Sequence, residues 1–149
     1  MRILLASARF DLRLALEILL REEPGIDIVG TAGEAASVRS LLRSSLPDLL
    51  ILDWDLPGHD PSHLLAETKR LRCRPEVIVL GRYESARQEA LAAGADAFVL
   101  GSDLPDVLVA AIRNSRARRR AGHSTAATPG GGTRQDAASS QNLEGTQRE

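Results

Sequence analysis

The segment Leu50–Gly58, LILDWDLPG, carries the side chains best placed for chemistry. An apolar run ends in Asp53, Asp55 follows two residues later, and Pro57-Gly58 then turns the chain. In open parallel sheets, ligands bind at the carboxyl ends of the strands, and Mg²⁺ takes one or two carboxylates together with waters. The two aspartates are therefore only weak candidates for metal ligands, and no metal is expected. Asp53 could instead accept backbone N–H bonds from the following turn or helix.

Two neighbouring polar residues and one cysteine are weaker candidates. His59 and Asp60 could extend a metal site, but their place in a turn also suits a loop and a helix N-cap. Cys73 is the single cysteine, so the chain has no internal disulfide. That cysteine usage is typical of a reducing compartment, and we expect a cytoplasmic protein.

The strongest charge feature is the segment RNSRARRR at residues 113–120. Residues 1–112 hold 17 acids and 12 bases, whereas this short segment holds five arginines and no acid. A solvated helix end is one interpretation, since cations stabilise a helix C-terminus by about 0.3–1 kcal/mol each. A contact with an acidic partner is another, but sequence-specific nucleic-acid binding is not expected because no aromatic residue is interleaved. The five candidates for interaction are Arg113, Arg116, Arg118, Arg119 and Arg120.

Five short apolar runs alternate with five longer segments of mixed composition, and these elements must position the side chains above. Three runs are almost wholly apolar, as in strands covered on both faces. The alternation predicts an α/β fold with a parallel sheet, right-handed crossovers and helices on both sides. The predicted strands are 2–6, 26–30, 48–53, 77–80 and 97–100, and the predicted helices are 9–22, 34–45, 61–72, 84–93 and 104–119.

Length and composition suggest one domain with a tail. The chain has 149 residues, and a domain usually takes about 100–200. We place the domain at residues 1–120 and expect a disordered tail over 121–149, because the tail has one leucine and no isoleucine, valine or aromatic residue to offset the entropy of ordering. No apolar run approaches the roughly 18 residues of a membrane span, so no membrane partner is expected.

Four segments give residues 1–113 a family resemblance: EEPGIDIVGTA at 22–32, PDLLILDWDLPG at 47–58, ALAAGADAFVL at 90–100 and DLPDVLVAAIR at 103–113. The chain resembles the receiver domain of bacterial response regulators, particularly the kind usually joined to a helix-turn-helix output domain. The resemblance implies a flavodoxin-like (βα)5 sandwich whose five-stranded parallel sheet has the order 2-1-3-4-5. It also implies that Asp53 matches the aspartate that accepts a phosphoryl group.

Other positions of that family's active site hold different residues here. Ser7 and Ala8 stand where the resemblance places two acids that hold Mg²⁺. Gly81 stands in place of a serine or threonine, and Gly101 in place of a lysine. Phe98 matches the family's switch aromatic, but without a hydroxyl at position 81 a plain core role is favoured. Phosphoryl transfer depends on positioning and cations, so these losses predict a degenerate site.

The leading hypothesis is therefore a pseudo-receiver, a non-enzymatic and cofactor-free module of two-component or phosphorelay signalling that acts by protein contact. The resemblance places its contact surface on the fourth helix, fifth strand and fifth helix, with Phe98 among its residues. Its partner would be a histidine kinase, another signalling protein or a second copy of the chain. One alternative is a stand-alone regulator phosphorylated at Asp53, with Asp55, His59 or water completing a Mg²⁺ site. Another is an adaptor whose basic segment 116–120 contacts nucleic acid.

Overall fold

A computed structural model of the chain describes residues 1–58 and 60–132, with side chains described as far as residue 122. Each predicted strand and helix is present, with ends that differ by at most three residues, except that the fifth helix continues to Gly132 instead of ending at residue 119. The strands are β1 (Arg2–Ala6), β2 (Asp27–Ala32), β3 (Leu49–Asp53), β4 (Glu76–Gly81) and β5 (Ala97–Leu100). The helices are α1 (Phe10–Arg21), α2 (Ala35–Ser45), α3 (Pro61–Lys69), α4 (Ala86–Ala93) and α5 (Asp106–Gly132).

The five strands form one parallel sheet in the order β2-β1-β3-β4-β5, which confirms the predicted fold. The strand β3 is buried along its whole length, as its unbroken apolar run predicts for a strand covered on both faces. Its register places Leu52 beside Ala6 of β1 and Asp53 beside Leu80 of β4. The carboxyl ends of these three strands therefore meet around Asp53.

Two apolar clusters cover the two faces of the sheet, because successive strand residues point to opposite sides. Leu50 and Leu52 belong to one cluster together with Leu64 of α3. Leu49 and Ile51 belong to the other cluster, which also includes residues of α1 and of the first turns of α5. Helices consequently pack on both sides of the sheet, as predicted.

Two of these differences, at the end of α3 and at the start of α5, have a local cause. The helix α3 ends at Lys69, because Arg70 leaves the helical ladder and its N–H returns to the carbonyl of Glu67. The helix α5 begins at Asp106, after a 3₁₀ turn over Gly101–Asp103. Both shifts lie at helix termini, where local hydrogen bonds compete with the ladder.

The contacts of the chain separate a compact unit, Met1–Ile112, from a second unit that begins at Arg113. Residues 121–132, part of the predicted tail, continue α5, and residues 133–149 lie outside the described part of the chain. The domain boundary at 120 and the disorder of the tail thus stay predictions. Among the described residues, no helix has both the length and the apolar character needed to cross a membrane.

Candidate functional site

The side chain of Asp53 ends β3 and is almost completely buried, with 3 % of its surface exposed. Because β1 and β3 are neighbours, the first residue after β1 reaches this carboxylate. The hydroxyl of Ser7 donates a hydrogen bond to Oδ2 of Asp53 at 2.7 Å, inside the protein. Ser7, which stands where the resemblance places an acid, is therefore a donor to the candidate phosphoacceptor.

Arg9 supplies the positive charge that this buried carboxylate requires. Its Nε donates to Oδ2 of Asp53 at 3.2 Å, and its side chain is 37 % exposed. The backbone N–H of Arg9 also donates to the hydroxyl of Ser7 at 3.1 Å. The turn between β1 and α1 thus holds both donors in one network, and a buried carboxylate is tolerated because it is paired and hydrogen-bonded.

The second oxygen of Asp53 accepts a hydrogen bond from the backbone. The N–H of Asp55 donates to Oδ1 at 3.0 Å, and the N–H of Leu56 donates to the carbonyl of Asp53 at 3.1 Å. Asp53 thus accepts backbone N–H bonds from the turn that follows β3, as the structural interpretation of this residue expects. Asp60 caps α3 instead, since its Oδ1 accepts the N–H of Ser62 at 3.0 Å.

The carboxylate of Asp55 faces a different cation. Its Oδ2 lies 3.4 Å from Nε of Arg82, and both side chains are about half exposed. Such pairs contribute about 0–1 kcal/mol. His59, the other candidate ligand, lies outside the described residues. Within the described part of the chain, no group of three histidine, cysteine or acidic side chains is arranged to hold a metal ion.

The space beside Gly81, at the end of β4, is filled by the ring of Phe98 from β5. A Cβ built on Gly81 would lie 2.6 Å from Cε1 of that ring, and closer still to Cζ. Phe98 itself is 5 % exposed and belongs to the apolar cluster over α3 and α4. This placement favours the core interpretation of Phe98 over a contact role. A Cβ built on Gly101, by contrast, would meet only the carbonyl oxygen of Gly81, at 3.9 Å.

An arginine from α4 covers the outer side of the Phe98 ring. The Cζ atom of Arg87 lies 4.9 Å from the ring centroid, and its guanidinium also donates to the carbonyl of Phe98 at 3.4 Å. Glu84 pairs with the same guanidinium. The hydrogen bond between them lowers the pKa of Glu84 from its ordinary 4.5 and raises the pKa of Arg87. Charged groups, not the aromatic ring, thus face solvent at this position.

The sequence placed Ser7, Asp53, Gly81 and Gly101 at this edge and Phe98 on the contact surface or in the core, but it did not identify Arg9 or Arg87. The signal for Arg9 was its position: a cation two residues after the polar residue that follows β1. The arginines predicted as interaction residues belong to the α5 segment of the second unit. Four of them are exposed and Arg116 is half-buried.

Comparison with known proteins gives consistent matches. The family described as "Response regulator receiver domain" matches residues 3–113. A protein-glutamate methylesterase/protein-glutamine glutaminase from Methanospirillum hungatei is 31 % identical over 103 residues, which are 66 % of this chain and 30 % of that protein. The phosphate regulon transcriptional regulatory protein PhoB of Rhizobium meliloti is 42 % identical over 97 residues, covering 58 % of this chain and 40 % of PhoB. The chain thus spans well under half the length of these relatives.

Among solved structures, the response regulatory domain of protein mrkE from Klebsiella pneumoniae has the same fold, with a TM-score of 0.72 and 17 % identity. The match covers 79 % of this chain and 97 % of that one. A LuxR-family two-component response regulator from Aurantimonas matches with a TM-score of 0.70 and 25 % identity, over 76 % of this chain and 82 % of that one.

Proposed function

The chain belongs to the response regulator receiver domain family, and from that premise we propose that it signals through protein contact, without Mg²⁺-dependent phosphorylation of Asp53. Receiver domains of two-component systems exchange signals with kinases and other signalling proteins. The observation that carries the proposal is the closed network in which Arg9 and Ser7 both donate to Oδ2 of Asp53.

The network leaves the carboxylate poorly suited to a metal. Mg²⁺ requires an octahedral shell of oxygen ligands, whereas three groups around Asp53 present hydrogens to its oxygens: the Ser7 hydroxyl, the Arg9 guanidinium and the Asp55 N–H. The guanidinium is itself a cation, and it would repel a divalent ion held against the same oxygen. The donor set does not fit Mg²⁺, and the proposed function does not depend on that ion.

The neighbouring strands also lack the groups that would stabilise a phosphorylated aspartate. Gly81 offers no hydroxyl, and the ring of Phe98 occupies the space that a side chain there would need. Gly101 offers no ammonium group, and the single lysine of the chain, Lys69, packs its stem against Gly94. Charge stabilisation is the main requirement of phosphoryl transfer, so these replacements support a function that does not need it.

The surface around α4 supports a contact role at the predicted face. Tyr83 is 68 % exposed and Leu91 is 42 % exposed, next to the ion pair of Arg87 and Glu84. An aromatic and an aliphatic side chain beside an arginine are typical of protein interfaces. We include this surface, with a signalling protein or a second copy as its partner, in the proposal.

The direct test is titration of the full chain with Mg²⁺, with and without beryllofluoride as a phosphoryl mimic. Trp54 fluorescence and NMR shifts near Asp53 report the response, and Asp53→Asn is the matched control. We expect no saturable change at millimolar Mg²⁺ in either protein. A saturable response that Asp53→Asn abolishes would instead establish the alternative, a phosphorylation-controlled regulator.

A gain-of-function variant tests whether the network is the cause. Ser7→Asp, Ala8→Asp and Arg9→Ala together replace a hydroxyl and a cation with two carboxylates beside Asp53. We expect this triple variant to bind Mg²⁺ at millimolar concentration by isothermal titration calorimetry, and adding Asp53→Asn to weaken that binding. If the folded triple variant binds no Mg²⁺, the replaced residues are not what excludes the ion.

A further inference from the structure

A groove of about 300 Å³ lies between α2 and α3, away from the Asp53 site. The carboxyl-terminal turns of the two helices form its walls. Because these helices precede β3 and β4 in the chain, the groove lies toward the amino ends of those strands. Its floor is apolar: Leu42 is 5 % exposed and Leu71 packs against the adjacent core cluster. Its walls carry Arg39, Arg43, Arg70 and Glu67. We call this site the α2–α3 groove.

At one end of the groove, an arginine and a glutamate neutralise each other. Arg39 of α2 donates through Nε to Glu67 Oε1 at 2.6 Å and through Nη2 to Oε2 at 3.4 Å. The pair joins the two helices and uses both carboxylate oxygens. This part of the groove is satisfied by the chain itself.

About one helical turn further along, each of the two helices contributes an arginine to the groove, and neither contributes an acid. Arg43 follows Arg39 by four residues on α2, and Arg70 follows Glu67 by three residues at the end of α3, so helical spacing brings both to the same groove. Both are exposed. Among the described residues, no acidic side chain forms an ion pair with either of them.

The loop that follows α3 adds more positive charge of the same kind. Arg72 and Arg74 are exposed, and no ion pair joins them to the rest of the described chain. Residues 69–74, KRLRCR, hold four arginine or lysine residues and no acid, although residues 1–112 as a whole contain more acids than bases. Positive charge is therefore concentrated at the end of α3 and in the loop after it, the segment that contributes Arg70 and Leu71 to the groove.

We propose that the α2–α3 groove binds an acidic peptide segment of a partner protein. Carboxylates of the segment pair with Arg43 and Arg70, and an aliphatic side chain between them rests on Leu42 and Leu71. Arginine suits this role because its planar guanidinium binds carboxylates through two parallel hydrogen bonds.

The floor of the groove favours a peptide over a nucleic acid. Single-stranded nucleic acids are bound by stacking bases on aromatic side chains, and the groove is lined by leucines instead. A duplex is held by a row of phosphate contacts along its backbone, whereas this groove is short and one of its ends is occupied by the carboxylate of Glu67. Leucines between two arginines match a segment with both acidic and aliphatic residues.

The test uses the full chain and a fluorescent peptide made of glutamate and leucine residues, with binding followed by anisotropy. Arg43→Ser and Arg70→Ser are the groove variants. Arg21→Ser is the matched control, because Arg21 also lies in the last turn of a helix and its loss removes the same charge. We expect each groove variant to weaken binding about tenfold, or about 1.4 kcal/mol, and the control to change it by less than about twofold.

Two control ligands separate the possible partners. A peptide in which serine replaces leucine should bind about tenfold more weakly, because it cannot use the apolar floor. A poly(dT) strand should bind more weakly than the peptide and show no dependence on Arg43. The proposal is overturned if the peptide does not bind at millimolar concentration, if Arg21→Ser weakens it as much as Arg43→Ser, or if poly(dT) binds more tightly through the groove. None of these outcomes depends on Asp53, so the proposed function is tested separately.

Discussion

Charged side chains at the two ends of the sheet differ in burial and in pairing. At the carboxyl end, Asp53 is buried, and the chain itself provides its cation and its hydrogen-bond donors. Toward the amino end, Arg43 and Arg70 are exposed, and no acidic side chain of the described residues forms an ion pair with either of them. A buried charge must be paired within the fold, because desolvation makes an unpaired one costly. An exposed charge has no such requirement, so it is the one that remains available to a partner.

This difference separates residues that stabilise the fold from residues that are available to bind a partner. Substitutions at the Asp53 network should change the free energy of unfolding, and substitutions of Arg43 and Arg70 in the α2–α3 groove should leave it almost unchanged.

The largest effect is expected for Asp53→Ala. The substitution leaves the buried Ser7 hydroxyl and the Asp55 N–H without their acceptor and removes the counter-charge of Arg9. We expect the free energy of unfolding in urea to fall by about 2–4 kcal/mol, and by less in Asp53→Asn, which keeps one acceptor oxygen. Asp55→Ala is the control, with a loss below about 1 kcal/mol because its ion pair is exposed. Unchanged stability in Asp53→Ala would refute a structural role for the network.

A somewhat smaller loss is expected for Gly81→Ala. The added Cβ overlaps the Phe98 ring, so the ring or the strand must move, at a cost of about 1–3 kcal/mol. Gly101→Ala is the matched control, since a Cβ there meets only one atom at the outer limit of contact. The penalty should shrink in a Phe98→Leu background, and a double-mutant cycle measures that coupling. Equal penalties at positions 81 and 101 would contradict the packing described.

A near-zero effect is expected for Arg43→Ser, which should shift the free energy of unfolding by less than about 0.5 kcal/mol. Arg39→Ser, one helical turn earlier, breaks the bidentate pair with Glu67 and should lower stability by up to about 1 kcal/mol. Urea denaturation of the two variants, carried out side by side, measures both free energies of unfolding. A larger loss in Arg43→Ser than in Arg39→Ser would show that Arg43 supports the fold.

The smallest effect concerns the titration of Glu84. Its hydrogen bond with Arg87 lowers the pKa below the ordinary value of 4.5, so any stabilisation by the pair is present above that pH and is lost as the pH falls through the depressed pKa. Carboxyl carbon NMR should show a midpoint below 4.5 in the native protein. In Arg87→Gln the midpoint should return toward 4.5, and an unchanged midpoint would show that Arg87 is not the cause.

The fold could be predicted from the sequence because its signals are local. Unbroken apolar runs such as the one ending at Asp53 mark buried strands, and their alternation with helical segments leaves a parallel sheet as the solution. The predictions of the helix ends were less accurate. The helix α3 stops at Lys69 because of hydrogen bonds in its last turn, and hydrophobic spacing does not report such bonds.

The site could be predicted only as far as positions along strands. Asp53 and Gly81 lie at strand ends, where the pattern places them. The partner of Asp53 was missed because Arg9 reaches it through a long side chain, and the reach of such a side chain depends on tertiary contacts. The overlap between Gly81 and Phe98 was missed for a similar reason: it is a property of the volume between two strands, which neither residue shows by itself.

The packing of Phe98 against Gly81 also restricts how this site could change over generations. A hydroxyl-bearing residue at position 81 would collide with the ring unless the ring moved or position 98 held a smaller residue, and a smaller residue at 98 beside glycine would leave a cavity in the core. The effect of a substitution at either position therefore depends on the residue at the other. A hydroxyl introduced at position 81 requires a change in the position or the size of the side chain at 98.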